Sequence, residues 1–293
     1  MPWLQLRLNT TEPHADNIGD ALMEMGALSV TLMDAEDVPI LEPAPGETPL
    51  WQNVHMMVLF DAETDTRGIL DAWQQHPLSQ HSSNEKFELL EDKDWEREWM
   101  ERFEPLQFGE KLWICPSWKP VPDESAVNVM LDPGLAFGTG THPTTSLCLK
   151  WLDGLDLDGK TVIDYGCGSG ILAIAALKLG AAKVYAVDID EQAIIATKDN
   201  AERNGVMDER LLVGKPELVN GISTEIVVAN ILAGPLKELA AQISAHCQSH
   251  GRLALSGLLD VQSEEVNSCY QQWFDMEPAV YEQEWTRLSG IKR

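Results

Sequence analysis

Basic residues are scarce. The chain sets 21 Lys and Arg against 47 Asp and Glu, a formal net charge of −26 over 293 residues. Nucleic-acid binders neutralise phosphates with clustered Lys and Arg, so no direct contact with RNA or DNA is expected. A basic partner would instead be drawn in by electrostatic steering. The deficit is steepest early: residues 1–125 hold 25 acidic and 8 basic side chains, against 22 and 13 in residues 126–293. Cysteine is also sparse. Cys115, Cys148, Cys167, Cys247 and Cys269 are scattered and form no Cys-x-x-Cys pair, which excludes a disulfide framework and a zinc-type ligand spacing; no metal is expected. Long apolar runs are missing too. The longest, Ile171–Leu177, falls far short of the ~18–20 residues of a bilayer span. Met1–Asn9 alternates polar and apolar residues without the apolar core of a signal peptide. Reduced thiols, a cytoplasmic location and no membrane attachment are the expectation. With 44% hydrophobic and 23% charged residues, the chain has enough apolar material for a core without staples.

What is present divides in two. Over residues 1–92, periodicity predicts a strand at Trp3–Leu8 and a helix at Asp16–Met25, with Ile18, Ala21, Leu22 and Met25 on one face and Gly26 as its stop. A strand at Ala27–Met33, a loop rich in Pro and Gly, a strand at Val54–Phe60, a helix at Thr66–Gln75 and a strand at Lys86–Leu90 follow. The β-α-β-β-α-β order is that of a ferredoxin-like α+β domain, one sheet face under two helices and the other available to a partner. Residues 93–110 are expected to be a linker helix, with Trp95, Trp99 and Phe103 on one face at i, i+4, i+8.

Residues 111–293 have another texture. Strands are predicted at Lys111–Ile114 and Val127–Leu131. Strand and helix patterns then alternate: Thr161–Tyr165, Gly170–Leu179, Lys183–Val187, Glu191–Asn204, Ile226–Ala229, Leu236–His246, Arg252–Ser256 and Val261–Trp273. The alternation predicts an α/β, Rossmann-like, doubly wound and mostly parallel sheet, followed by a two-stranded hairpin within Trp273–Lys292.

The first parallel strand runs into Asp164-Tyr165-Gly166-Cys167-Gly168-Ser169-Gly170, which opens a helix. Glycines here let backbone approach a ligand, and the helix start presents free N–H groups. Asp188 ends the next strand, placed to accept hydrogen bonds from the ribose hydroxyls of an adenosine. A dinucleotide fingerprint, G-x-G-x-x-G, would need glycine where Ile171 stands, so a dehydrogenase is disfavoured. Asn230 ends the fourth parallel strand, where the ligand crevice of such sheets lies. It is either a site residue or a cap of the following turn. His142 is either a proton acceptor or a residue that orders its loop. Cys167, at a helix N-terminus that would lower its pKa, is taken as a small packing residue.

The pattern D-x-G-x-G-x-G with a distant acid resembles motif I of the S-adenosylmethionine-dependent methyltransferases. Leu131-Asp132-Pro133-Gly134-Leu135-Ala136-Phe137-Gly138-Thr139-Gly140-Thr141-His142-Pro143-Thr144-Thr145, taken with Asp164–Gly170, Asp188 and Asn230-Ile231-Leu232-Ala233, resembles the PrmA-type ribosomal protein methyltransferases along essentially the whole chain. That resemblance implies a seven-stranded class I methyltransferase domain at 111–293 behind a substrate-recognition domain at 1–92. It implies S-adenosylmethionine held by Thr145, Gly166, Gly168, Asp188 and Asn230, with Gly166 at the methionine moiety, Asp188 at the ribose, Thr145 and Asn230 around the methionine end and Phe137 closing over it. It also implies transfer to the N-terminal α-amine and lysine ε-amines of the large-subunit stalk-base ribosomal protein, gripped by the N-terminal domain of a monomeric enzyme. In other amino-group methyltransferases prolines follow the Asn; here Ile231 and Leu232 do, so only amine positioning by Asn230 is carried over. The mechanism expected is in-line displacement by a neutral amine. The rival readings are a methyltransferase of another protein, of nucleic acid or of a small molecule, and a binding module without activity.

Overall fold

The computed structural model describes residues 3–36, 38, 48–90, 104–132 and 142–293. They belong to two compact units, 1–100 and 101–293.

In the first unit, β1 (Trp3–Thr11), β2 (Ser29–Asp34), β3 (Asn53–Asp61) and β4 (Ser83–Leu90) form an antiparallel sheet in the order β2-β3-β1-β4. Alternation decides which face is covered: Leu6, Leu8, Val54, Met56, Val58 and Phe60 are buried while their strand neighbours point the other way. Helices α1 (Glu12–Glu24) and α2 (Thr66–Gln75) supply Ile18, Leu22 and Trp73 to the same core. Trp73 is buried with its indole N–H donated to Ser82 Oγ at 3.0 Å. α1 begins four residues before the predicted start, because Thr11 is extended and Pro13 fits a first turn. The ferredoxin-like arrangement is present.

The second unit carries a small sheet of β5 (Leu106–Phe108), β6 (Leu112–Cys115) and β7 (Val127–Met130), ordered β5-β6-β7. β5 corrects the expectation of a linker helix through residue 110: residues 106–108 pair antiparallel with β6. The turn at 109–111 is fixed by Asp153, whose carboxylate accepts the Glu110 and Lys111 N–H groups at 2.6 and 3.0 Å. The helix predicted over Trp95–Phe103 lies outside the described residues.

The main sheet contains β8 (Thr161–Tyr165), β9 (Lys183–Val187), β10 (Leu211–Gly214), β11 (Thr224–Asn230), β12 (Cys247–Leu259), β13 (Phe274–Met276), β14 (Val280–Glu282) and β15 (Trp285–Lys292). Its order is β10-β9-β8-β11-β12-β15-β13, parallel from β10 to β12 and antiparallel at β15. The helices are α3 (Pro143–Asp153), α4 (Ile171–Lys178), α5 (Glu191–Arg203), α6 (Ala233–Glu238), α7 (Ala240–Ala245) and α8 (Ser263–Tyr270). Alternate strand residues feed two cores. Val162, Val184 and Val228 pack with α3, α4 and α5 residues; Ile163, Val227 and Leu255 pack with α6, α7 and α8 residues. Burial on both faces accounts for the near-continuous apolar strands. Among the described residues no helix is long and apolar enough to cross a membrane.

Three further differences have physical reasons. The edge strand β10 was not predicted; it is four residues long and stops at Lys215-Pro216. The single helix expected over Leu236–His246 is two, divided at Leu239. The chain stays helical in course across the break, since Leu239 N–H donates to Pro235 O and Ile243 N–H donates to Leu239 O. The terminal hairpin is joined by β13, so both β13 and β14 pair with β15, one toward each end.

Candidate active site

Strand order reverses between β8 and β11, whose chain connections run to opposite sides, and the crevice at that switch point lies beyond the strands' carboxyl ends. β8 delivers the glycine turn. Gly166, Gly168 and Gly170 have φ of 82°, 54° and 78°, a left-handed backbone that a side chain would strain. The turn is tied to β9: Gly166 and Cys167 N–H groups donate to Val187 O at 2.8 and 3.0 Å. Asp188 completes the tie. Its carboxylate accepts Gly168 N–H at 3.0 Å and Asp190 N–H at 2.9 Å, so two of the residues predicted to hold the cofactor are bonded to one another.

The buried face of α5 braces this turn. Thr197 Oγ1 donates to Gly168 O at 3.0 Å and Asn200 Nδ2 to Ser169 O at 2.9 Å. Just past the helix, Asn204 brackets Met130, accepting its N–H and donating to its C=O, both at 2.7 Å. Arg203 pairs with Asp132 at 3.3 Å, and Asp132 also accepts the Ser117 N–H and hydroxyl. One helix thus fixes both the glycine turn and the exit of β7 toward the segment at 133–141. Sequence reasoning missed these residues. The signal was small polar side chains at i, i+3, i+7 on the inward side of an otherwise amphipathic helix. The 133–141 segment, Phe137 included, lies outside the described residues.

Thr145 is fully buried in the first turn of α3, and Asn230 Nδ2 donates to its Oγ1 at 3.4 Å. Asn230 Oδ1 is buried and has no hydrogen-bond partner among the described residues, an acceptor whose desolvation calls for a donor. A Cβ at Gly166 would lie 2.2 Å from Ile231 Cγ2, so the first glycine makes room for the side chain next to Asn230. His142 caps α3: its Nδ1 sits 2.8 Å from Thr144 Oγ1 and accepts the Thr144 N–H at 3.4 Å. Its ring stands edge-on to Trp285. Burial lowers its pKa against the raising effect of Glu284, which favours the neutral ring. For Cys167, burial outweighs the helix N-terminus and pushes the thiol up. It packs 3.3 Å from Thr197 Oγ1, a poor nucleophile in a packing role.

Asp164 is fully buried behind the turn; its Oδ2 accepts the Ala173 N–H at 3.0 Å and its Oδ1 has no partner among the described residues. Burial raises its carboxyl from the ordinary 3.8 to about 7, opposed by the Ala173 N–H and reinforced by the charge of Asp188. The folded protein therefore holds this proton more tightly than the unfolded chain does. The contribution of Asp164 to stability falls as pH rises from 3.8 to about 7 and is constant above. Asp164→Asn cannot ionise, so its melting temperature should gain on that of the parent protein between pH 5 and pH 8. A pH-independent difference in thermal melts would contradict the assignment.

The glycine cradle, the orphan acceptor of Asn230 and the carboxylate of Asp188 fit an adenosyl ligand that ends in an ammonium group. Fold and site together define the Rossmann-like methyltransferases that use S-adenosylmethionine. Comparison with known proteins narrows the class. Residues 2–293 match the family described as ribosomal protein L11 methyltransferase (PrmA), and the chain belongs to that family. The ribosomal protein L11 methyltransferase of Salmonella arizonae is 60% identical over 293 residues, 100% of both chains, and that of Salmonella typhimurium is 59% identical over the same span. The crystal structure of ribosomal protein L11 methylase from Lactobacillus delbrueckii subsp. bulgaricus matches with a TM-score of 0.59 at 31% identity. That match covers 65% of this chain and 100% of the other.

Proposed function

We propose that this protein transfers methyl groups from S-adenosylmethionine to amino groups of ribosomal protein L11, at the N-terminal α-amine and at lysine ε-amines. It acts as a cytoplasmic monomer, without a metal and without direct contact to nucleic acid. The observation that carries the site assignment is the buried, unpartnered Oδ1 of Asn230 beside Thr145, at the carboxyl end of β11. An amine N–H donated to this oxygen gives it the partner it lacks and turns the nitrogen lone pair along one direction. Bound S-adenosylmethionine supplies a sulfonium methyl, so that a C–N bond forms as the C–S bond breaks and sulfur keeps the electron pair.

The protein contributes mainly alignment. Thr145 holds the Asn230 amide through its Nδ2, leaving Oδ1 for the incoming amine. Asp188, fixed by two backbone N–H groups, presents the rest of its carboxylate to the ribose. Ile231 packs its side chain over Gly166, which sets aliphatic carbon next to Asn230. Orientation of this kind is worth several orders of magnitude in rate. The acid-rich first unit grips the basic protein substrate, and the free face of its sheet is the surface proposed for that contact.

The test is transfer of labelled methyl from S-adenosylmethionine to total ribosomal proteins and ribosomal RNA from cells lacking this enzyme. Label confined to L11, with mass increments of three methyls per amine, is the expected result. Label in RNA, or in another protein, would overturn the substrate assignment while leaving the reaction class intact.

A further inference from the structure

Ile231, the residue after Asn230, is enclosed by two glycines that lie far apart in sequence. On one side is Gly166, whose missing side chain leaves room for Ile231 Cγ2. On the other is Gly257 in β12, with φ of 90°. A Cβ at Gly257 would lie 2.3 Å from Ile231 O, 2.7 Å from its carbonyl carbon and 3.0 Å from its N. These are backbone atoms, which cannot swing aside as a side-chain end can. The close approach is built by the sheet: Asn230 is in register with Ser256, and the pairing of β12 with β15 slips between Leu255 and Leu258, a bulge that contains Gly257. Beyond Ile231 the chain is extended at Leu232 and enters α6.

We infer that Gly257 is a positioning residue for methyl transfer, acting through Ile231 on Asn230. Its bare backbone lets Ile231 close against β12, which seats the Ile231 side chain over Gly166 and fixes the direction in which the Asn230 amide leaves the strand. The turn after Asn230 is thus held from two sides, by β12 and by the glycine turn that follows β8. The inference rests on the reading of Asn230 as the residue that orients the amine.

The experiment is a double-mutant cycle on the full chain, with kcat measured at saturating S-adenosylmethionine and L11. Gly257→Ala is expected to lower kcat by about tenfold to a hundredfold, the scale of a misplacement near 1 Å. Asn230→Ala is expected to lower it at least as much. The two losses should not multiply: in the Asn230→Ala background, Gly257→Ala should cost less than about threefold more. A purely structural defect would multiply with Asn230→Ala, and that result would overturn the inference. If Gly257→Ala fails to fold, Ile231→Ala, which removes the contact over Gly166 without straining β12, takes its place in the same cycle. Should Asn230→Ala alone leave kcat unchanged, the reading of Asn230 itself fails. Should Asn230→Ala be impaired while Gly257→Ala and Ile231→Ala both match the parent enzyme, only the positioning inference fails.

Discussion

Asp188→Ala should weaken S-adenosylmethionine binding by about 3 kcal/mol, on the order of 100-fold. Two losses add up in that figure. The ribose hydroxyls lose a charged acceptor, and hydrogen bonds to charged groups are worth about 1.5–3 kcal/mol. The Gly168 and Asp190 N–H groups also lose the carboxylate that holds them, which loosens the glycine turn from the β9 side. Because the ribose is common to substrate and product, S-adenosylhomocysteine should weaken equally. Titration calorimetry with both ligands separates this from an effect at the methionine end, which would split the two affinities. Unchanged binding of both would remove Asp188 from the site.

Removing the first unit should have the larger effect on turnover and almost none on cofactor affinity. The buried cores divide accordingly: one cluster contains only residues from Leu6 to Trp73, the other two only residues from Phe108 to Leu288. Among the described residues, a chain of residues 101–293 therefore keeps both of the apolar clusters that lie within it. It should bind S-adenosylhomocysteine within about threefold of the full protein yet methylate L11 at least on the order of 100-fold more slowly, since remote binding energy that positions the substrate is lost. Wild-type transfer by this shorter chain, measured as labelled methyl incorporated per minute, would refute a gripping role for residues 1–100.

The parts of the site that sequence made legible are those where one residue type is forced. Gly166, Gly168 and Gly170 stand out because left-handed backbone at a strand-to-helix turn leaves little choice but glycine. Asp188 and Asn230 stand out because a polar residue at the end of an apolar strand is placed by the strand itself. Thr197, Asn200 and Asn204 did not, because their partners are main-chain atoms 29 to 74 residues away, and their i, i+3, i+7 spacing marks a polar stripe without saying what it bonds. Gly257 was hidden for the same reason: its neighbour Ile231 meets it only once β11 and β12 are paired. The fold followed the same division. Alternation and helical spacing placed β1, α2, β8 and α5 within a few residues, while β10, too short for a period to register, is placed by its pairing with β9.

The position of β15 has a consequence for how the enzyme is born. Although late in the sequence, Trp285–Lys292 is an interior strand, flanked by β12 on one side and by β13 and β14 on the other. The catalytic sheet therefore cannot close while residues 285–292 are still inside a translating ribosome, whereas β1 to β4 and their helices are complete by residue 90. The first unit can therefore mature while the chemical unit still waits for an interior strand of its sheet.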